Sequence, residues 1–597
     1  MAKELYERID RKVGDILSDI RYGKLGLPDL QRPFVWKDNK VRDLLDSMIK
    51  GFPVGYVMLW SAPEDYENTN NIGDGKKNYV KPLDLIIDGQ QRLTSLLASL
   101  FGEKVKGKDY KFRRIRIAYN PIINRFEVWS PAFEKDTNWI SDIFMVFKAE
   151  EEHSLSKYLR SIYIQINSGR EKKGERLLTE DEQDLIDENI RNLLSLKDYI
   201  LPTLRIKAIA KEEDVAEIFK RVNSGGQNLN ENNFIETILA VYDISIHDKI
   251  QKFCADSRVP ADNTSYNRIM DVDPSHLIRM AVGFGFRRAR LSYAYKILRG
   301  KDLETGISSD ELRENNLSKF REALEIVMNL NNWHSFLNLF GEAGYLSGKL
   351  ISSKYTVVFG YVLYLIGKFD YKISSIELRR ILTLWIFMTT LTSFYSSSPE
   401  SLVEQIFADI RNIKTAEGLY DYLWAVINNR LTDDFFEVTL PDNLNSSSAI
   451  SPAWYAYLAS LNVLGYQLLF SSTPTSRYWL AGTHGTKSSI DKHHLFPKNY
   501  LAKIGINEDR YRNQIANFTY IDYSTNIDIS DNPPMDYTER YMLKLGMEEY
   551  NKTCSEHALP KDWQNMDYFE FLKERRKLMA QIIKKAYHKL KGSNDLA

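Results

Sequence analysis

Residues 83–100 read Leu-Asp-Leu-Ile-Ile-Asp-Gly-Gln-Gln-Arg-Leu-Thr-Ser-Leu-Leu-Ala-Ser-Leu. The apolar run Leu83–Ile87 has strand length, Asp88-Gly89 makes a turn, and Gln91–Leu100 has the length and spacing of a helix. A strand that passes through a glycine into a helix start gathers free backbone N–H groups and the positive end of the helix dipole at one spot, where phosphate oxygens fit. Gly89 permits close approach of a ligand to the backbone, Gln90 and Gln91 can donate or accept at a ribose or base, and Arg92 can clamp a phosphate. Asp88 can hold a metal or cap the helix. The spacing alone leaves a blander reading open, with Asp88 only a cap and Arg92 only a surface charge. This is no Walker loop: Gly-x-x-x-x-Gly-Lys-Ser/Thr is absent, and a Gly-x-Gly at Gly283 and Gly285 has Arg288 at the third glycine position.

Before this stretch, Leu5–Ile20 has apolar residues at helical spacing, Leu25–Trp36 reads as extended, Lys40–Lys50 as a helix ended by Gly51, and Val54–Trp60 as a strand. A polar surface loop over Glu67–Asn78 separates these from Leu83. After it, Arg114–Tyr119 and Arg125–Trp129 suggest a hairpin, Leu204–Ala208 a strand, and Val215–Val222 a helix ending at Ser224-Gly225-Gly226. Strand signals then fade, and Phe234–Tyr242, Glu311–Leu330 and Ser375–Phe394 read as successive helices. The Ser/Asn-rich stretch Asn443–Ser448 marks a boundary before the last domain. The fold class expected is α+β multidomain, with an α/β domain over 1–230, an all-α region over 231–445 and a third domain over 446–597.

With 597 residues and 43% hydrophobic content the chain has ample material for large cores. Cys254 and Cys554 have no Cys-x-x-Cys partner, which excludes a disulfide framework and a cysteine zinc knuckle and fits a reducing cytoplasm. The charged N-terminus lacks a signal-peptide core, and Ile381–Ser398, diluted by threonines and serines, reads as a buried helix and not a membrane span. Lys plus Arg equals Asp plus Glu at 80 each, so any nucleic-acid contact must come from local patches. The strongest such run, Lys573–Lys591, holds eight Lys or Arg against Glu574 alone. A solvated helix face is the common explanation, and proximity to the motif below favours contact with backbone phosphates.

That motif is Asp491-Lys492-His493-His494-Leu495-Phe496-Pro497, followed by Asn517-Phe518-Thr519-Tyr520-Ile521 and Asn526. Of nine histidines, only this pair is adjacent. Hydrolysis of a phosphodiester needs a base to activate water, a cation for the charge on the phosphorane and leaving oxygen, and a scaffold that holds both. Two histidines near the end of one strand, an asparagine opening a second and another asparagine in the following helix suit a ββα scaffold. Neither His-Glu-x-x-His nor Gly-x-Ser-x-Gly occurs, and His276 and His334 read as ordinary polar or core residues.

This arrangement resembles the HNH, or ββα-metal, nucleases. By that resemblance His494 is the general base, His493 and Asn526 are metal ligands, and Asn517 ties the hairpin loop together and orients the base. Asp491 or Asp528 adds an oxygen ligand. Mg²⁺ is the first expectation; imidazole at position 493, often an aspartate in magnesium-dependent members, also suits Mn²⁺, Ni²⁺ or Zn²⁺. Residues Leu30–Trp36 (Leu-Gln-Arg-Pro-Phe-Val-Trp), Asp88–Ser95 and Ile218–Gly226 resemble, in order, signature blocks of the GmrSD-type restriction family, whose N-terminal domain is ParB/sulfiredoxin-like. The resemblance implies a nucleoside triphosphate (GTP, CTP, UTP or ATP) bound and hydrolysed at Asp88, Gly89, Gln90, Gln91 and Arg92, with Gln31, Arg32 and Asn223 at the rim. For Phe34 and Trp36 core packing is expected ahead of base stacking. It implies a type IV, modification-dependent, anti-phage DNA endonuclease of the cytoplasm, with DNA and nucleotide as partners, no membrane, and a homodimer left open. Two rival readings use the same residues: a DNA-modification sensor or scaffold acting with a partner, and an RNA-directed HNH nuclease.

Overall fold

Tyr6–Lys12 form strand β1 and only Val13–Arg21 form helix α1, so the helix expected over 5–20 is half strand. The reason is tertiary: β1 pairs antiparallel with a strand almost 200 residues later, from Tyr6↔Ile206 to Lys12↔Ile200. The computed structural model in which this is seen describes residues 4–26, 34–61, 83–107, 110–210, 244–448, 450–477 and 490–592, with a few positions between 214 and 222. The expected loop 67–78 and the expected helices 215–222 and 234–242 therefore fall wholly or largely outside the described residues.

Two compact units divide the chain, Met1–Gln251 and Lys252–Ala597. In the first, β2 (Leu25–Gly26), α2 (Asp38–Ile49), β3 (Val57–Ser61), β4 (Asp84–Asp88) and α3 (Gln90–Leu100) follow α1. Two hairpins come next, β5 (Val105–Lys106) with β6 (Phe112–Arg113) and β7 (Ile117–Asn120) with β8 (Arg125–Val128). Helices α4 (Pro131–Lys135), α5 (Phe144–Glu151), α6 (Leu155–Lys173) and α7 (Glu180–Leu194) lead to β9 (Ile200–Ile206). The sheet order is β1-β9-β3-β4-β2, with β3 parallel to β9 and antiparallel to β4, and β2 parallel to β4. Central β3 and β4 carry the continuous apolar runs expected of strands covered on both faces, and Val57–Trp60 and Asp84–Ile86 are all buried. Leu59 and Ile86 join α1, α2 and α3 in one core, while Met58, Trp60 and Leu85 pack with Val215 in a smaller one.

The second unit is helical over most of its length. Among the described residues from 252 to 477 the only β pairing is isolated bridges, Lys301↔Ser308 and Gln467↔Pro474. Helix Ser375–Leu391 lies at its centre, with Ile381–Leu391 fully buried, as expected of the apolar stretch beginning at Ile381. No described helix is long and apolar enough to cross a membrane. The boundary expected at 443–448 falls inside this unit, since helix Ser375–Leu391 packs on both Pro452–Leu464 and α9 (Tyr568–Lys591). Strands β10 (Ile490–His494) and β11 (Phe518–Asp522) pair antiparallel, and helix α8 (Tyr523–Ile529) follows directly.

Two histidines of this unit, His276 mostly and His557 fully buried, are held as neutral rings. His276 accepts at Nδ1 from the Asp273 N–H at 2.9 Å, and burial, outweighing the Asp273 carboxylate, pushes its pKa down to about 4. His557 lies between Thr519 and the Gln467 carbonyl, and burial lowers it to about 4 as well. Each folded pKa lies below the ordinary value of about 6.5, so the stability tied to the neutral ring is present above that value and is lost as pH falls towards 4. The thermal midpoint of the Lys252–Ala597 transition should therefore drop between pH 6.5 and 4, and His557→Gln should flatten that dependence in calorimetry.

Candidate functional site

Strand β10 ends at His493-His494, and its alternation sends the two side chains to opposite faces. His493 is 6% exposed, and its Nδ1 lies 2.9 Å from Asn526 Oδ1 on α8. On the other face, His494 Nε2 lies 3.1 Å from Asn513 Oδ1. An amide oxygen only accepts, so Nε2 carries the ring proton and Nδ1 keeps its lone pair. Burial, assisted by Lys498 and Lys492, lowers the His494 pKa to about 4, so the ring is neutral and proton-accepting at pH 7. The Phe518 ring stands edge-on to His494, centroids 4.7 Å apart, with Lys492 Nζ over the ring 4.0 Å from its centroid.

Asn517 is fully buried and closes the segment joining the strands. Its Oδ1 accepts from Phe496 N–H at 2.8 Å, and its Nδ2 donates to Phe496 O at 3.0 Å and Arg512 O at 3.2 Å. Tyr537 adds a hydroxyl bond to the Leu495 carbonyl. Beneath these, Arg575 of α9 is 0% exposed and donates to three carbonyls, Ala516 at 2.7 Å, Phe518 at 2.8 Å and His557 at 3.3 Å. Burial lowers its pKa, and among the described residues no carboxylate pairs with it.

The basic run of α9 is mostly tied up within the unit. Besides Arg575, Lys577 binds Glu574, Lys584 binds Asp433 and Glu437, Lys589 bonds to Val463 O, Lys585 to the Tyr466 hydroxyl and Arg576 to Asn445. The helix buries ten side chains on one face, while Lys573, Lys577, Lys585 and Lys589 are exposed on the other.

His493 and Asn526 offer one imidazole nitrogen and one amide oxygen about 2.9 Å apart. With Asn526 Oδ1 as an acceptor, the same argument puts this ring's proton on Nδ1; with that proton moved to Nε2, the nitrogen and the amide oxygen would stand as far apart as ligands at about 2.1 Å in adjacent positions of an octahedral cation. Asp528 is otherwise engaged, accepting from Tyr541 at 2.9 Å and Arg540 at 3.4 Å. The side chain of Asp491 lies outside the described residues. Among the described residues no three His, Cys, Asp or Glu gather as a metal site. Asn513 and Arg575 were not legible as site residues: Asn513 belongs to none of the quoted motifs, and Arg575 is hidden in a run of like charges.

In the first unit Gly89 occupies the left-handed region at φ 93, between β4 and α3, and no side chain caps α3. A Cβ there would meet Val57 Cγ2 at 3.1 Å. Arg92 Nη1 donates to Val54 O at 2.7 Å, and its Nη2 lies 4.0 Å from Asp88. The guanidinium occupies the space that a side chain at Gly55 would fill. Gln91 Oε1 accepts from Val35 N–H at 3.0 Å, tying the turn to the segment after Pro33. Burial and the Asp88 carboxylate both raise the Tyr56 pKa. Asp88, Gly89, Gln90, Gln91 and Arg92 thus share one turn, with one face of Arg92 held by the protein. Gln31, Arg32 and Asn223 lie outside the described residues. Phe34 is buried in the core at 3% exposure and Trp36 packs partly against it, in keeping with core packing.

Residues 13–240 match a family model described as the N-terminal domain of the GmrSD restriction endonuclease. An uncharacterized protein of Methanocaldococcus jannaschii is 20% identical over 561 residues, covering 91% of this chain and 88% of its own length.

Three substitutions test these supports through thermal or denaturant unfolding. Arg575→Ala should cost about 3 kcal/mol or more, because three carbonyls lose a buried donor. Asn517→Ala should cost about 2–3 kcal/mol by freeing the buried Phe496 backbone. Gly89→Ala should cost about 1–2 kcal/mol, from left-handed backbone and contact with Val57.

Proposed function

We propose that the chain is a metal-dependent DNA endonuclease of the HNH type, directed at modified foreign DNA and controlled by a nucleoside triphosphate bound at Asp88–Arg92. The observation that carries the reading is the disposition of the two histidines: His494 presents an unprotonated Nδ1 because Asn513 fixes its Nε2–H, while His493 stands beside Asn526 on the other face of the strand. In the proposed reaction His494 Nδ1 takes a proton from water as its oxygen bonds to phosphorus, and the P–O bond to the leaving strand breaks. A divalent cation held by His493 and Asn526 would supply positive charge for the phosphorane and the leaving oxygen. Asn517 keeps the Phe496 turn, and with it the strand carrying both histidines, in register. The match of residues 13–240 to a restriction-endonuclease family supports DNA as substrate and a defence role.

The regulatory half rests on the β4–Gly89–α3 turn. An uncapped helix start, a glycine allowing close approach and an arginine already oriented by Val54 O make a phosphate site without a Walker lysine. Turnover there is proposed to license cleavage, and recognition of the DNA modification follows from family likeness.

Matched phage DNAs, modified and unmodified, incubated with Mg²⁺ or Mn²⁺ and each nucleotide in turn, test the whole reading. Modified DNA should be cut preferentially, and His494→Ala should lower cleavage by about 10²–10⁴-fold while the thermal midpoint and nucleotide binding persist. Undiminished cleavage by that variant would remove His494 from the mechanism. Asp88→Ala and Arg92→Ala should weaken triphosphate binding in titration calorimetry at least about tenfold; a wild-type protein that binds no triphosphate would refute the regulatory half.

A further inference from the structure

Away from the histidines, the Lys252–Ala597 unit contains a cavity of about 280 Å³ lined by Arg287, Asp370, Tyr371, Arg411, Lys414 and Ala416, together with two isoleucines. It lies where helix Pro274–Phe286 ends and where helix Pro399–Asn412 hands over to helix Ala416–Arg430. Three cationic side chains face one carboxylate. Arg287, in the left-handed region at φ 52, pairs with Asp370 and so forms the fixed wall. Among the described residues Arg411 uses Nη1 alone, donating to the Arg287 carbonyl at 2.8 Å, and Lys414 rests against the Arg411 carbonyl at 3.3 Å. The Tyr371 hydroxyl clamps the far side, its one proton shared between Ile410 O and Ile413 O, each 3.0 Å away.

The arrangement suits an anion. The backbone bond through Nη1 leaves the other guanidinium donors of Arg411 for a ligand, and Lys414 retains two of its three protons. Ala416 opens a 15-residue helix, so the positive end of a dipole adds to the same cavity. Arg411 and Lys414 are both exposed, so the cavity is reached from solvent.

Helix Pro399–Asn412 itself carries Glu400, paired with Arg279, and Asp409, which accepts from Tyr422, so further positive charge comes from the segment packed against its start. Exposed Arg290 donates to Ser401 Oγ at 3.2 Å, whereas Arg288 is balanced by Glu404. Ser401 and Arg411 are separated by about 15 Å of helix, a span that covers several phosphates of one strand and is too long for a single small anion.

We propose that this cavity, with Arg411 and Lys414 as its ligand-binding residues and Arg290 as its extension, is a phosphate site that grips the backbone of the DNA substrate at a distance from the cleaved bond. The inference rests on the DNA reading given above.

The test uses the full-length chain with EDTA, so that no cleavage occurs, and a short DNA duplex followed by fluorescence anisotropy across a salt series. Arg411→Ala/Lys414→Ala should weaken binding at least about tenfold near 0.1 M salt and lower the log–log salt slope by about 2, while Arg411→Lys/Lys414→Arg keeps most of both. An unchanged thermal midpoint in the alanine variant ties the loss to the cavity; if the midpoint falls, the charge-retaining variant decides, and loss of binding there too would overturn the proposal. Wild-type affinity and slope in the alanine variant would overturn it and leave the nuclease reading standing. Inorganic phosphate or ATP that stabilises the wild type but not the alanine variant, with DNA binding unaltered, would overturn it in favour of a free-phosphate site. Failure of the wild type both to bind and to cut DNA would remove the nuclease reading and this site together.

Discussion

A fully buried guanidinium, with no carboxylate beside it among the described residues, holds the strand pair of the second unit in register. Arg575 reaches from α9 to the carbonyls of Ala516, Phe518 and His557, residues on both sides of the β11 entry and at the end of a helix preceding α9. An isolated buried charge is costly, and this one is tolerable because several backbone dipoles point at it and are themselves satisfied by it. Fixing Ala516 and Phe518 fixes Asn517 between them. Asn517 then fixes Phe496, and Phe496 lies two residues after His494. The orientation of the two histidines is the end of that chain of contacts.

The first unit depends on backbone conformation more than on charge. Gly89 turns the chain at a φ that other residues avoid, and Gly55 vacates the volume that Arg92 fills. Arg92 is consequently oriented before any ligand arrives, at the loss of one donor direction to Val54 O. Preorganisation of this kind trades hydrogen-bonding capacity for lower ordering entropy on binding.

Legibility in the sequence differed by the range of the forces involved. The β4–Gly89–α3 turn, α2 stopping near Gly51 and the buried central helix were readable because apolar runs, periodicity and glycine act over a few residues. The segment 5–20 was misread because Leu5 and Ile9 happen to continue the period of α1, whereas pairing with β9, nearly 200 residues away, sets its first half as strand. The charge run of α9 hides one member for a related reason: Arg575 looks like its neighbours until the helix is packed, and Lys584 meets Asp433 and Glu437 only in the folded unit.

For the candidate site the sequence named His493, His494, Asn517 and Asn526, since their spacing suits two strands and a helix and such spacing survives any packing of the rest. It also named the five residues of the Asp88–Arg92 turn, because they are consecutive. Only the tertiary structure decided that Asn513 fixes the proton of His494 and that Asp528 turns to Tyr541 and Arg540. The tertiary structure likewise assigned Arg92 to Val54 O and brought Arg287, Arg411 and Lys414 to one cavity. Local pattern encodes which residue types lie on one element. The partner of a polar side chain is set by which distant elements come within about 3 Å of it, and that is a property of the packed chain.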